Sequence, residues 1–105
     1  MAEELLFEVS TPLNFTVRTT KQYWTVITTV KHPVMKGREE LVKRTLQQPD
    51  EIRQSKSDEN CFLFYRTESS QRWTCAVTKR LNDLGFLVTA YPTDTIKEGV
   101  RVWSK

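Results

Sequence analysis

The chain has one histidine, His32, among 16 lysines and arginines and 13 acidic residues in 105 positions. Downstream, Phe64-Tyr65-Arg66, Lys79-Arg80 and Thr89-Ala90-Tyr91-Pro92 set arginine, lysine, threonine and tyrosine at the ends of apolar runs. A histidine ordinarily titrates near neutrality and can give or take a proton there. Arginine and lysine neutralise charge that builds up during a reaction. Threonine and tyrosine hydroxyls orient a phosphate, and an aromatic ring stacks on a base. His32, Arg66, Lys79, Thr89 and Tyr91 therefore form the candidate catalytic set. It is the set that metal-free cleavage of RNA requires: activation of the ribose 2′-OH, stabilisation of a dianionic phosphorane and protonation of the leaving 5′-oxygen.

Each candidate also has a purely structural reading. His32 precedes Pro33, where a polar side chain commonly caps a backbone carbonyl. Arg66 ends an apolar run and would be solvated. Lys79 and Arg80 are adjacent on a strand, so they point to opposite faces and one of them decorates an edge. Tyr91 would pack against helices. Trp73 and Trp103 read as core or edge cover, and as stacking platforms if exposed.

Composition bounds the rest. The chain is long enough for one domain and one core, here taken as 1–105. With 38% hydrophobic and 28% charged residues, it reads as an ordinary globular chain. No apolar run approaches the ~20 residues of a membrane span, and the acidic start Met1-Ala2-Glu3-Glu4 argues against a secretory signal; a cytoplasmic location is expected. The formal charge of +3 admits an anionic partner without demanding one. Cys61 and Cys75 could meet across a hairpin, but unbridged thiols are the ordinary state of such a pair in a cytosolic protein.

The elements that must hold these residues follow from pattern. Leu5–Val9 and Asn14–Arg18 read as a hairpin turned at Pro12 and Asn14, at the edge of a sheet. Residues 20–31 mix strand-like threonines with a helical stripe of Tyr23, Trp24, Ile27 and Val30; Pro33 falls where a helix should have ended, which decides for helix, with Thr20 as its cap. Residues 35–48 carry the clearer stripe, Leu41, Val42, Thr45 and Leu46, stopped by Pro49. A segment centred on Ile52 and a polar loop over 53–60 follow. Then come three strands, Cys61–Arg66, Trp73–Arg80 and Phe86–Tyr91, with short antiparallel connections at Thr67–Arg72 and Leu81–Gly85. The tail from Lys97 to Trp103 could return as a further strand. The expected fold is α+β: N-terminal helices packed on one face of an antiparallel sheet of about four strands. Strict alternation sets Phe62, Phe64 and Arg66 against Leu63 and Tyr65, and Phe86, Val88 and Ala90 against Leu87, Thr89 and Tyr91. The more polar face of Thr89 and Tyr91 is taken as the open one.

From His32 onward, the order of pieces resembles the phage-encoded branch of the barnase–EndoU–colicin–RelE-like nuclease superfamily. The matching pieces are His32-Pro33, Leu46-Gln47-Gln48-Pro49-Asp50, Phe64-Tyr65-Arg66, Ala76-Val77-Thr78-Lys79, Val88-Thr89-Ala90-Tyr91, and Lys97-Glu98-Gly99 leading to Trp103. The resemblance implies a helix-then-sheet fold and a metal-independent, toxin-like ribonuclease, with roles for His32, Arg66, Lys79, Thr89 and Tyr91. RNA is then the expected partner, with an inhibitor or antitoxin protein as a second and no membrane. Two other readings stand beside it: a non-catalytic RNA- or protein-binding module of the same fold, and a plain interaction domain using a sheet edge or exposed aromatics.

No cofactor is expected. One His and two distant Cys fall short of a tetrahedral zinc set, so elemental analysis of the purified protein should find no stoichiometric zinc.

Overall fold

The computed structural model describes residues 4–96 and 99–105. Among these residues, seven strands form one mixed sheet: β1 (Leu5–Ser10), β2 (Thr16–Thr20), β3 (Glu51–Gln54), β4 (Cys61–Ser69), β5 (Arg72–Leu81), β6 (Leu84–Thr93) and β7 (Val100–Ser104), in the order β1-β2-β6-β5-β4-β3-β7. Every neighbouring pair is antiparallel except β2 and β6, which run parallel. The helical segments are short: α1 (Lys21–Val26), a π-helical turn (Ile27–Lys31), a 3-10 turn (Pro33–Met35) and α2 (Glu39–Gln47).

This corrects the expectation of helices on an antiparallel sheet of about four strands. The N-terminal hairpin lies at one edge of the sheet, as expected, and β2 joins it to β6. The Ile52 segment is a strand, β3, between β4 and β7, too short and polar to announce itself by pattern. β7 closes the far edge beside β3; Lys97 and Glu98, counted in the returning tail, lie outside the described residues, as does the Met1–Glu3 start. Parallel pairing between β2 and β6 joins segments over 60 residues apart, and no local signal specifies it.

Local chemistry explains the turns. In the β1–β2 hairpin Asn14 takes φ 65°, a left-handed value that asparagine tolerates. The Thr11 hydroxyl donates to the Phe15 carbonyl at 2.9 Å. Asn82, φ 63°, turns β5 into β6 over only two residues, so Gly85 lies inside the strand and not in the turn. Glycine is needed there for space: a Cβ would come within 2.7 Å of the Phe15 ring.

The helical segment after β2 forms although it is rich in threonine. The Thr20 hydroxyl accepts from the Tyr23 N–H at 3.0 Å and caps it. Thr25, Thr28 and Thr29 donate to the carbonyls of Lys21, Trp24 and Thr25, four residues back. Such back-bonding bends helices, and here the helix widens into the π-turn, closed by His32 N–H donating to the Ile27 carbonyl at 2.7 Å.

The helical segments cover one face of the sheet. Trp24, Ile27, Met35, Val42 and Leu46 pack there against Phe7, Val17, Ile52, Phe62, Phe64, Ala76, Leu87 and Ala90, with Trp103 packed at the margin. The opposite face carries a second cluster: Leu63, Tyr65 and Cys75, with Trp73, Val77, Tyr91 and Ile96 against them. The face of Tyr91 is thus the one away from the helices, yet it is not bare. Ile96, just after β6, lies on it.

Strict alternation fails in β6. Val77 pairs with Thr89 while Thr78 pairs with Leu87, so Val88 is an extra residue. This β-bulge puts both Leu87 and Ala90 on the helix side, 1% and 0% exposed. Phe86, Thr89 and Tyr91 share the other. The expected grouping of Phe86 with Ala90 is corrected accordingly.

Leu46 is fully buried in α2. Leu46→Ala should cost about 2–5 kcal/mol, the range for emptying a buried leucine site; chemical denaturation of the two proteins measures it.

Candidate functional site

The parallel pairing of β2 with β6 lasts only three residue pairs among the described residues, Thr16–Leu84, Val17–Gly85 and Arg18–Phe86. Beyond it β2 turns away into α1, and β6 runs on beside β5 alone. A backbone carbonyl on that edge needs a new partner. The Val88 carbonyl, at the bulge, finds two: the Tyr23 hydroxyl donates to it at 2.8 Å and the Lys31 ammonium at 3.1 Å. Lys31 Nζ also donates to the Tyr23 hydroxyl at 2.8 Å. The first helical segment is thereby pinned to the edge of β6.

That pinning carries His32 to β6. Its ring lies 5.2 Å from the Tyr91 ring, centroid to centroid, tilted by 37°. Thr89 stands two residues before Tyr91 on the same face, and its buried hydroxyl has no hydrogen-bond partner among the described residues. The structure therefore brings together three of the five expected residues, His32, Thr89 and Tyr91, beside Lys31 and Tyr23. From sequence neither Lys31 nor Tyr23 reads as a site residue; Tyr23 reads only as part of a helical stripe. Only the adjacency of Lys31 to His32 could have flagged it, and neither the gap beside β6 nor the bulge has a sequence signature here.

Arg66 and Lys79 lie elsewhere. The phenylalanines of β4 face the helices and Arg66 goes with them. Its guanidinium donates to the Gln48 carbonyl at 2.8 Å, at the C-terminal end of α2. Next to it, Asp50 accepts from the Thr67 N–H at 2.5 Å and pairs with Lys105 at 3.5 Å. Lys79 shares the Tyr91 face but pairs with Phe86, about five residues and roughly 15 Å along the strands from Tyr91. There it donates to Asp58 at 2.8 Å. That hydrogen bond holds the lysine pKa above and the aspartate pKa below their ordinary values.

Cys61 sits beside this pair, its thiol 3.6 Å from Asp58. Burial, then the Asp58 charge, push the thiol pKa up, which makes it a poor nucleophile at neutral pH. Cys61 pairs with Lys79 and Cys75 with Tyr65. The two cysteines are thus roughly 13 Å apart along the strands, well past the ~7 Å Cα limit for a disulfide. Among the described residues no three His, Cys, Asp or Glu side chains converge as a metal site, and no helix is long and apolar enough to cross a membrane.

At the edge of β6 an imidazole, an aromatic ring, a buried threonine hydroxyl and an ammonium group thus lie close together. Comparison with family models, with curated proteins and with solved structures gives no match.

Asp50 yields a pH prediction. Burial raises its pKa, but the Thr67 hydrogen bonds and Lys105 outweigh that, and the net shift is downward. A carboxylate with a depressed folded pKa stabilises the fold above its unfolded value and loses that contribution as pH falls through the folded one. Stability should therefore drop on acidification below about pH 4. Asp50→Asn should be less stable at neutral pH and show a shallower acid decline, read from urea midpoints across pH.

Proposed function

We propose that this protein is a metal-independent ribonuclease acting at the edge of β6, with His32 as the proton-transfer group. The observation that carries the reading is the contact between His32 and Tyr91, residues 59 positions apart that meet only because β2 leaves β6. The resemblance of the segment order to the nuclease superfamily points the same way.

In this reading the ribose 2′-oxygen attacks the phosphorus and the bond to the 5′-oxygen breaks. His32 takes the proton from the 2′-hydroxyl as its bond to phosphorus forms and passes it to the departing 5′-oxygen. The Tyr91 and Thr89 hydroxyls donate to phosphoryl oxygens, and Lys31 offsets the phosphorane charge, replacing Arg66 and Lys79 in that duty. Products carry a 2′,3′-cyclic phosphate and a 5′-hydroxyl. RNA is the partner; an inhibitor protein would cover the same edge.

A second reading, a non-catalytic RNA-binding module of the same fold, draws on one observation: Arg66 and Lys79 are engaged by Gln48 and Asp58, leaving the histidine with few cations near it.

The test is incubation with total RNA in EDTA and analysis of the product ends. Cyclic phosphate termini are expected. His32→Ala should slow cleavage by about 10²–10⁴-fold, the usual worth of general acid–base catalysis, and Tyr91→Phe should slow it as well. Arg66→Ala and Lys79→Ala should leave the rate unchanged in samples matched for folded fraction. RNA left intact by the unmodified protein across a broad pH range, but bound in a salt-sensitive way, would replace the first reading by the second.

A further inference from the structure

Where β2 and β6 part, the space between them stays open. It is a groove of about 540 Å³ bordered by β2, β6 and α1. Leu5, Val26 and Phe86 line it and are 45%, 40% and 42% exposed. Three large, partly exposed apolar side chains thus surround one opening, a composition common in binding grooves.

Polar features define the occupant. Thr19 also lines the groove and is only 4% exposed, yet its buried hydroxyl has no hydrogen-bond partner among the described residues. An orphaned hydroxyl in an apolar wall is costly, and a ligand atom that pairs with it recovers that cost. Arg18 stands at the rim. Its only ion pair among the described residues, with Glu8 at 4.0 Å between two well-exposed side chains, is too loose to hold it. Tyr23 lines the groove with its ring and presents its hydroxyl to Lys31. The lining thus holds one cation, Arg18, exposed apolar side chains and one unsatisfied hydroxyl, that of Thr19, and a second cation, Lys31, is bonded to the Tyr23 hydroxyl beside it.

A nucleotide has the complementary shape: a flat apolar ring with polar edge atoms, joined to anionic phosphates. We propose that this groove is a nucleobase-binding subsite. The base stacks on Phe86, one edge atom pairs with the Thr19 hydroxyl, and the flanking phosphates lie on Arg18 and Lys31. The placement of this base near the scissile phosphate rests on the ribonuclease reading; Phe86 and Tyr91 are five residues, roughly 15 Å, apart along β6. Base binding itself does not depend on cleavage. Stacking on Phe86 supplies affinity for any base, whereas pairing with a buried hydroxyl discriminates among edges.

The test uses the full chain and 2′-O-methyl oligonucleotides, which cannot be cleaved because the attacking hydroxyl is blocked. Fluorescence anisotropy reads binding to each of the four homo-oligomers at fixed salt. The unmodified protein should prefer one base. Phe86→Ala should weaken binding to all four by about tenfold or more. Thr19→Val, nearly isosteric, should lower affinity for the preferred base to that of the others. Circular dichroism melts confirm that both variants fold. Equal affinity of wild type and both variants for all four oligomers overturns the subsite. So does a groove that serves self-association, seen as a concentration-dependent dimer in sedimentation that Phe86→Ala abolishes without changing oligonucleotide binding. Base-selective binding without cleavage would remove only the ribonuclease reading. Cleavage that persists with binding unchanged in both variants would remove only the subsite.

Discussion

The Val88 carbonyl is the group on which the arrangement turns. It belongs to a bulge in a strand whose parallel neighbour has already left, so the sheet offers it no donor on that side. A buried or half-buried backbone carbonyl without a partner is expensive. Tyr23 and Lys31 meet the need together, and meeting it fixes where the first helical segment lies against the sheet. His32, the next residue after Lys31, then falls beside Tyr91. The groove lined by Thr19 and Phe86 is the other product of the same parting of strands.

The helical segment that does this work is an unlikely helix by composition. Threonine favours strands, and residues 25, 28 and 29 are all threonine. Their hydroxyls are spent on carbonyls within the segment, and Trp24 and Ile27 gain burial in the core. Packing outweighs propensity here, as it commonly does for short helices. The cost is an irregular end. The segment finishes as a π-turn, a geometry often found at functional sites, and that turn sets the position of His32.

The two faces of the sheet divide the labour. The helix side holds the larger core, with β4 contributing Phe62 and Phe64 in strict alternation. Arg66 follows the same alternation and is drawn to the end of α2, where it satisfies a terminal carbonyl. With Asp50 and Lys105 it ties the α2–β3 junction to β4 and the chain end. Lys79, on the other face, is held by Asp58 near the polar loop. Both cations are better explained by joining elements than by contacting a substrate.

Much of the local structure was legible in the sequence because it rests on short-range physics. Pro12 and Asn14 turn the first hairpin, Thr20 caps α1, Pro49 ends α2, and alternation in 61–66 sorts its side chains correctly. These depend on φ restrictions, hydrogen bonds within a few residues and the two-residue period of a strand. The pairing of β2 with β6, the joining of β3 and β7 to the sheet, and the bulge at Val88 were decided only by the tertiary structure. They involve partners tens of residues apart, and a single inserted residue reverses the facing of everything after it. For that reason His32, Thr89 and Tyr91 could be named from their types, while their company of Lys31 and Tyr23, and the separation of Arg66 and Lys79, could not.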